Sequence, residues 1–533
     1  MARHVSVHSS DRSGYPEFIR FEKVQIMFSS SVDTLLIFIV TTPLVGRFTQ
    51  HVKLAKYRDR ACGVYALLGL LVSAYFIFDL YQAVASRSVV VITFLKSHPP
   101  PLGACFEVDM LGVFMASLII GLGIGACLYS IRYMEHDTGL VLYYVLLLGQ
   151  LAGMVGVVFA GDLFTLFIFW ELMCLTSYCL VAYRKKRWAP VEAGFKFLIM
   201  SSFGNVTVLF AMSLLYGMTG TLNLAFLASS LQHAKNSVWI LLAMVMVVIG
   251  FGVEAALVPL HFWLPDAHPE APSPISALLS GVVIKTGAYA LLRTLFLVFS
   301  SGQVSWQLML AVVAVITMTV GNLMALLQED FKRLLAYSSV AHMGYVVFGL
   351  TTAYGVTASL FHVMNHAIMK GLLFLCAGCY VNMVGTREIE ELSGVWRRMP
   401  VTTIVCTIGL FAIAGMPPLN GFLSEFMLVM AGIRAGTEAA RSYMNVLSAI
   451  MLVNMLFSVA YYLRLVQVFV LKKESQTVIS RAREAPASML LPICVLALLS
   501  ILIGVYPYPF LSFVEKAANA VSQTTTYISA IAG

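Results

Sequence analysis

Apolar runs of about 20 residues recur along the whole chain and constrain its fold more than any other feature. An α-helix needs about 20 apolar residues to cross a lipid bilayer. Only 11% of the 533 residues are charged, too few to cover a soluble fold. The composition also excludes a disordered, fibrous or disulfide-rich secreted chain. We therefore predict an all-α membrane protein with about 14 transmembrane helices, near 24–46, 62–84, 109–131, 139–160, 163–183, 195–217, 238–260, 273–298, 306–327, 334–353, 357–382, 402–432, 444–470 and 489–510.

Lysine and arginine residues are distributed unevenly between the loops. When the loops are assigned alternately to the two sides of the membrane, 19 basic residues fall on one side, 10 on the other and five inside the runs. Basic loops tend to remain in the cytoplasm. We therefore predict a multi-pass protein of the cell (inner) membrane, surrounded by the lipid bilayer, with both termini on the extracytoplasmic side. The net charge of +8 does not indicate nucleic-acid binding, because no basic face with interleaved aromatic residues is visible.

Helix-breaking residues interrupt the seventh and the twelfth predicted helices. Proline removes a backbone donor and kinks or ends a helix. Backbone groups freed in this way are tolerated at membrane depth only inside protein or beside water. Two interrupted helices, five apart in order, favour two related halves with one broken helix each. The breaking residues are Pro259 and Pro265 in the seventh helix, and Gly415, Pro417, Pro418 and Gly421 in the twelfth.

Ionisable side chains lie inside the apolar runs, where each charge costs about 2.5–3.5 kcal/mol. His362, His366 and Lys370 recur every four residues and so share one helix face. Because neighbouring helices lie about 8–10 Å apart, one such group per helix leaves gaps that water would have to bridge. The pattern predicts a line of proton-exchanging groups in the membrane plane. Its candidate members are Glu171, Lys196, Glu254, Lys285, His342, His366, Lys370 and Glu425.

Several of these residues also have a purely structural interpretation. Glu171 is alternatively a static counter-ion for Lys196. Lys285 is alternatively a side chain that reaches toward an interface, although its central position disfavours this. For His362 we favour a packing role over membership of the line.

Other residues give no sign of a bound metal or cofactor. Lys332 lies in a predicted loop, where it is most simply a positive-inside anchor with Asp330 as an ion-pair partner. Cys376 and Cys379 lie within an apolar run and are interpreted as small packing residues. No spacing suits zinc or an iron–sulfur cluster, and no nucleotide, flavin or haem motif is visible. We expect no metal, no cofactor and no catalytic residue in this chain.

Several segments of the chain carry specific motifs. The most specific runs from Pro259 through His268 to Pro274, and the others are Phe169–Leu172, Lys285–Tyr289, Asp330–Ser339, His342–Gly344 and Asn365–Phe374. Together they resemble the antiporter-like subunits of the complex I superfamily, over roughly residues 105–470. That family includes chains of respiratory complex I, Mrp-type cation/proton antiporters and membrane-bound hydrogenases.

The resemblance implies fourteen helices, two inverted five-helix repeats and broken helices 7 and 12. A glutamate on helix 12 is similar to the M-type chain of complex I, whereas the proline-rich stretch after His268 is more similar to hydrogenase and Mrp D-type chains. The implied organisation is a polar N-terminal segment (1–23), helices 1–3 (24–131), a first antiporter-like half with helices 4–8 (132–300), a second half with helices 9–13 (301–470), and helix 14 with the tail (471–533).

The resemblance also implies roles for single residues. Glu171 matches the fifth-helix glutamate, Lys285 the eighth-helix lysine, and Glu425 the position where helix 12 carries lysine or glutamate. The central relay of the family matches His342, His366 and Lys370. The structural residues of the matching motifs are Pro259, His261, Trp263, Pro265, Asp266, His268, Asp330, Lys332 and Pro418.

One residue departs from the family pattern. Seven residues before His261, where the family usually has lysine, this chain has Glu254. The usual Glu–Lys pair would become two carboxylates, Glu171 and Glu254, unless Lys196 supplies the missing cation. Three outcomes are open: altered proton gating with a shared proton, a carboxylate cage for a cation such as Na⁺, or a half-channel that no longer pumps.

The resemblance leads to three functional hypotheses. The first is a proton-translocating subunit of a redox-driven complex, similar to complex I or to a membrane-bound hydrogenase, with other membrane subunits and a peripheral redox module as partners. The second is a subunit of an Mrp-type Na⁺/H⁺ antiporter with no redox partner. The third is a non-pumping membrane scaffold for a peripheral enzyme.

Overall fold

The computed structural model describes residues 34–42, 44, 55–94, 100–101, 103–232, 238–299, 306–352, 354–438 and 442–532. The predicted polar segment 1–23 and most of the first predicted helix, 24–46, lie outside the described residues. A short helical segment, residues 34–42, precedes the first full helix. The helices that follow are, in chain order, α1 (Ala55–Arg87), α2 (Met110–Tyr133), α3 (Leu140–Phe159), α4 (Leu163–Val181), α5 (Trp188–Thr219), α6 (Leu224–Gln232), α7 (Val238–Glu254), α8 (Trp263–Glu270), α9 (Ser273–Val298), α10 (Gln307–Leu326), α11 (Phe331–Leu350), α12 (Gly355–Met383), α13 (Pro400–Ile413), α14 (Asn420–Glu438), α15 (Tyr443–Leu471), α16 (Gln476–Arg481), α17 (Ala487–Val505), α18 (Tyr508–Ser522) and α19 (Thr524–Ala532).

Within the described ranges, ten helices are long and apolar enough to cross a membrane. They are α1 to α5, α9, α10, α12, α15 and α17, while α7 and α13 are shorter apolar helices. The predicted runs from 62–84 to 489–510 all coincide with helical residues. A helical, multi-pass membrane protein is therefore confirmed, whereas the count of fourteen helices and the inverted repeats remain predictions.

A two-stranded antiparallel sheet departs from the all-α prediction. Strand β1 (Val89–Thr93) pairs with β2 (Cys105–Asp109), and Val89 lies opposite Asp109. The side chains of β1 alternate between buried and half-buried, as expected of a strand with one covered face. Each strand has five residues, and Glu107 and Asp109 interrupt the apolar pattern of β2. Strands this short and partly polar leave no apolar run of helical length in the sequence.

The chain also continues beyond the last predicted helix. Helices α18 and α19 follow α17. Helix α18 packs against α2, and α19 packs against α6 and β1. Phe513 of α18 contacts Phe114 of α2 and Tyr81 of α1, with ring centroids 5.5 and 5.7 Å apart. Tyr527 of α19 donates a hydrogen bond of 2.6 Å to Glu107 of β2. The last residues thus hold the hairpin against the bundle.

Both predicted helix breaks are present. Helix α7 ends at Glu254, five residues before Pro259, and the chain becomes helical again only at Trp263. The Trp263 indole donates to the Val253 carbonyl oxygen at 2.8 Å, so the two halves of the break are bonded to each other. Pro265 lies inside the second half, α8, and is not itself a breaker.

The second break separates α13 from α14. Its residues include Pro418 and Gly415, whose φ of +69° lies in the left-handed region that glycine adopts without strain. Both breaks are only partly covered by this chain: Ala256 and Ala414 are buried, whereas Pro259, Pro417 and Pro418 are exposed. Because irregular backbone at membrane depth must be shielded from lipid, we expect neighbouring subunits or water to cover the exposed part.

Helix α9 lies close to the first break. It contains π-helical turns at Leu279–Val283 and Thr294–Val298, and Lys285 follows the first of them. A Cβ atom at Gly287 would lie 2.5 Å from the Ala255 nitrogen. Only glycine permits this approach, which brings the helix of Lys285 against the backbone that follows Glu254.

A buried ion pair joins α9 to the hairpin. Arg293 contacts both carboxylate oxygens of Asp109, at 2.6 and 2.7 Å, and both side chains are almost fully buried. Asp109 also caps α2 by accepting from the Gly112 nitrogen at 2.9 Å. The pair fixes the position of α9 along its axis relative to α2.

Replacing Arg293 with methionine should lower the stability of the full-length protein markedly. Removing one partner of a buried pair leaves the other charge uncompensated and typically costs about 3–5 kcal/mol. The measurement is the apparent melting temperature of the purified chain in detergent. The control is Lys472→Met, which removes an exposed pair with Glu390 and should change the melting temperature little. Equal shifts in the two variants would contradict the assigned role.

Candidate functional site

Lys285 lies at the centre of the candidate site and is fully buried. Its ammonium nitrogen donates to the Ser280 carbonyl oxygen, which the π-helical turn of α9 makes available. The same nitrogen lies 2.5 Å from Nδ1 of His366 on α12. The prediction that every link in the line needs a bridging water is therefore wrong here, because two helices approach closely enough for a direct contact.

Three histidines continue the line away from Lys285. The rings of His366 and His342 have centroids 4.8 Å apart. His342 Nδ1 lies 3.1 Å from His362 Nε2, and His362 Nδ1 lies 3.0 Å from the Ser424 hydroxyl on α14. The interpretation of His362 as a packing residue missed this connection, which depends on α11 and α14 lying on either side of α12.

Glu425 lies next to Ser424, at the far end of this line. It is 6% exposed, and its Oε1 atom has no hydrogen-bond partner among the described residues. A Cβ atom at Gly415 would clash with its other carboxylate oxygen, so the backbone of the second break lies against the carboxylate. The line thus reaches the break between α13 and α14.

Two carboxylates lie at the opposite end. Glu254 is the last residue of α7 and is 1% exposed. Its Oε2 accepts from the Ser201 hydroxyl at 3.4 Å, while its Oε1 has no partner in the described part of the chain. Glu171, on α4, is half-buried and lies within electrostatic range of Glu254. The two predicted carboxylates therefore lie in the same region of the bundle.

The surroundings of the carboxylates are fixed by Trp170. Its indole donates to the Asn205 side-chain oxygen at 2.9 Å, and its ring contacts Phe251 with centroids 4.9 Å apart. These contacts join α4, α5 and α7. They orient the helix turn that carries Glu171.

Lys196 does not join this pair. Its side chain is 49% exposed and forms ion pairs with Glu192 at 2.9 Å and Asp266 at 3.0 Å. The expectation that Lys196 balances Glu171 or replaces the missing lysine is therefore wrong in this structure. Lys196 lies on the outer face of α5, which a count along the sequence does not distinguish from the inner face.

Lys370 and His268 lie beside the central line. The Lys370 ammonium donates to the Leu335 carbonyl oxygen at 2.8 Å and to the Ser338 hydroxyl. His268 is fully buried and stacks on Phe374 with ring centroids 4.6 Å apart. Neither ring nitrogen of His268 has a partner in the described ranges. Buried polar atoms of this kind usually bind water.

His261 resembles His268 in this respect. It is 4% exposed, contacts the ring of Tyr337, and has an unpartnered Nδ1 among the residues that the structure describes. Both motif histidines therefore present free nitrogen atoms to the interior. His366 Nε2 is a further such atom.

Lys332 is not a loop anchor. It is the second residue of α11, is 2% exposed, and donates to the Ala271 carbonyl oxygen at 2.7 Å. It thereby satisfies the C-terminal end of α8, where carbonyl groups lack helical partners. The interpretation failed because the helix begins three residues earlier than the apolar run.

Asp330 does not pair with Lys332. It caps α11 by accepting from the Arg333 nitrogen at 3.0 Å and forms an ion pair with Arg387 at 2.5 Å. Burial lowers the pKa of Arg387, but Asp330 and Glu270 outweigh that effect and hold the pKa above its usual value. Asp266, another motif residue, pairs with Lys196 and Arg333 on the same surface.

Several residues that contact the line of ionisable side chains could not be predicted from the sequence. Ser280 and Ser424 hold Lys285 and His362, and the Tyr462 hydroxyl lies 3.4 Å from His342 Nε2. Ser280 acts through its backbone carbonyl oxygen, which any residue could supply, and hydroxyl residues such as Ser424 and Tyr462 are common in membrane helices, so nothing in the sequence distinguishes these three. His362 did carry a signal, its four-residue spacing from His366.

The family model described as "NADH:quinone oxidoreductase/Mrp antiporter, TM" matches residues 160–451, which is more than half of the chain. The chain belongs to this family. A second model, "NADH-Ubiquinone oxidoreductase (complex I), chain 5 N-terminus", matches residues 100–144. The resemblance found in the sequence is thereby confirmed.

Relatives within the NADH:quinone oxidoreductase/Mrp antiporter family include subunits of NADH-quinone oxidoreductases and subunits of Na⁺/H⁺ antiporters. The N subunit of NADH-quinone oxidoreductase from Desulforudis audaxviator is 34% identical over 80% of this chain and 86% of that protein. The D-type Na⁺/H⁺ antiporter protein of Alkalihalophilus pseudofirmus is 28% identical over 93% of this chain and 98% of that protein.

A solved structure supports the same assignment. A chain of the membrane-bound sulfane sulfur reductase, an archaeal respiratory membrane complex, superimposes with a TM-score of 0.85 and 28% identity, over 95% of this chain and 100% of that chain. These similar proteins are subunits of multi-subunit membrane complexes, some redox complexes and some antiporters.

Proposed function

We propose that this chain is a proton-translocating, antiporter-like subunit of a redox-driven membrane complex. The observation that carries the proposal is the series of contacts from Lys285 to Ser424. Polar contacts join Lys285 to His366, His342 to His362 and His362 to Ser424, and a ring contact joins His366 to His342. Every group in it can accept a proton, donate one or do both. It connects α9, which lies against the first helix break, with α14, which follows the second.

The proposed mechanism divides the line into three parts. Glu171 and Glu254 form a gate that exchanges a proton with one side, because two neighbouring carboxylates titrate as a coupled pair. Lys285 and the histidines pass the proton along. Glu425 releases it at the second break. Energy released in a neighbouring redox subunit would drive the cycle by changing which group of this chain binds the Lys285 side chain.

The wider arrangement follows the family pattern. We propose fourteen transmembrane helices with two inverted five-helix repeats, and both termini on the extracytoplasmic side. Other membrane subunits and a peripheral redox module complete the complex, and this chain itself holds no redox cofactor. The similar proteins belong to such complexes, which supports the proposal.

The second candidate is an Mrp-type Na⁺/H⁺ antiporter subunit. It is favoured by the carboxylate pair of Glu171 and Glu254, which lacks a cation among the described residues, and by the match over nearly the full length of an antiporter protein. Proton exchange in vesicles that depends on Na⁺ and needs no electron donor would favour it. Proton uptake that requires the donor and ignores Na⁺ would favour the redox-driven function.

Replacing Lys285 with alanine should abolish proton translocation while the complex still assembles. The loss should be at least about tenfold, since a positioned proton-transfer group contributes about 10²–10⁴-fold. The measurement is proton uptake into inverted membrane vesicles, followed with a pH-sensitive dye and driven by the native electron donor. Lys473→Ala, on an exposed loop, is the control. Normal uptake in the Lys285 variant would remove this residue from the path.

Replacing His362 with leucine distinguishes a relay role from a packing role. A relay role predicts a loss similar to that of the Lys285 variant, because the contact from His342 to Ser424 is broken. A packing role predicts normal uptake, since leucine fills the space. The exposed His136, changed to leucine in the same way, controls for loss of a histidine as such. The same vesicle assay gives the answer.

A further inference from the structure

Two cavities lie end to end along the same elements, α1, α2 and the C-terminal helices. The first has a volume of about 350 Å³ and is almost entirely apolar, with Phe78, Ile120 and Phe513 among its lining residues. The second has a volume of about 280 Å³ and lies toward the hairpin. Its polar lining residues are Ser88, Asp109, Lys516, Asn519, Gln523, Thr526 and Tyr527.

The length of this paired cavity matches one leaflet of a membrane. On α2 it extends from Met110 in the polar cavity to Ile124 in the apolar cavity. Fourteen helical residues rise about 21 Å. Half of a bilayer, headgroups included, measures roughly 20–22 Å. The change from polar to apolar lining follows the change from headgroup to acyl chain.

The charge of the polar cavity suits a phosphate group. Lys516 lies near the junction of the two cavities, where its ammonium donates to the Tyr81 hydroxyl at 3.2 Å and lies 5.7 Å from the centre of that ring. Asp109 also lines the cavity, but Arg293 binds both of its carboxylate oxygens. Among the described lining residues, Lys516 therefore supplies the only uncompensated charge.

We propose that the two cavities form one binding site for an anionic phospholipid, a site separate from the proposed ion path. One acyl chain occupies the apolar cavity between α1, α2 and α18. The phosphate headgroup lies against Lys516 and accepts hydrogen bonds from Asn519 and Gln523. The lipid thereby joins the C-terminal helices to α1.

Two glycines of α2 provide a matched pair of variants. A Cβ atom at Gly121 or at Gly125 would have no atom within 4 Å apart from the backbone of its own helix, so there is space for a larger residue at either position. Gly121 lines the apolar cavity, whereas Gly125, one turn further along, does not. Gly121→Leu therefore fills the acyl-chain cavity, and Gly125→Leu is its control.

The experiment measures phospholipid retained by the full-length protein with its native partner subunits. The complex is delipidated in detergent, exposed to vesicles of equal parts phosphatidylglycerol and phosphatidylcholine, and re-purified. Bound lipid per chain is then counted by mass spectrometry. We expect one retained phosphatidylglycerol for the unmodified protein and for Gly125→Leu, and at least about a fivefold loss for Gly121→Leu, because leucine removes the contact area of an acyl chain.

Lys516→Gln tests the headgroup separately. Lys516 is exposed, so this variant should fold normally. It should still retain a lipid but lose the preference for phosphatidylglycerol over phosphatidylcholine.

Equal retention of phosphatidylglycerol by the two glycine variants would overturn the proposal, as would an unchanged lipid preference in Lys516→Gln. Binding of glycerol phosphate without acyl chains, unaffected by Gly121→Leu, would also overturn it by indicating a site for free anions. Cross-linking of Gly121→Cys to a partner subunit would show a protein in the groove and have the same consequence.

Discussion

A charged side chain inside a bilayer must find polar partners within the protein, and the centre of this structure depends on that constraint. Each such residue costs about 2.5–3.5 kcal/mol even on the mildest scale. Lys285 meets the cost by binding a carbonyl oxygen of its own helix and a histidine of α12. Lys370 binds a carbonyl oxygen and a hydroxyl oxygen of α11. Because these partners are themselves buried, the helices that carry them must stay in one register.

The broken helices make such partners available. Each break frees backbone groups from helical hydrogen bonding, and each lies beside an ionisable residue, Glu254 at the first and Glu425 at the second. Gly287 allows the helix of Lys285 to approach the first break, and Gly415 allows the second break to approach Glu425. Irregular backbone therefore lies beside Glu254 and beside Glu425, the two carboxylates on either side of the contacts from Lys285 to Ser424.

The sequence alone identifies functional residues when their role depends on their own side chain and on the residues next to them in the chain. Lys285 and Glu425 are unusual simply because they interrupt apolar runs, and Pro259 and Pro418 mark the breaks by their own chemistry. Residues whose role depends on neighbouring helices are harder to predict. Lys196 and Lys285 look alike in the sequence, yet one lies on an outer helix face and the other at the centre.

Long-range contacts explain the remaining failures. His362 joins the line only because α11 and α14 flank its helix, and Arg293 has a partner only because the unpredicted hairpin places Asp109 beside it. The hairpin and the two C-terminal helices were missed because they are too short or too polar to resemble a membrane helix.

The central claim is that the ionisable side chains form one hydrated path across the protein. The most direct test is an experimental map of the complex in a lipid bilayer at a resolution that shows ordered water. We expect water within hydrogen-bond distance of the unpartnered atoms of Glu254, His268, His366 and Glu425. Dry aliphatic packing around these atoms, or carboxylates that face acyl chains, would contradict it.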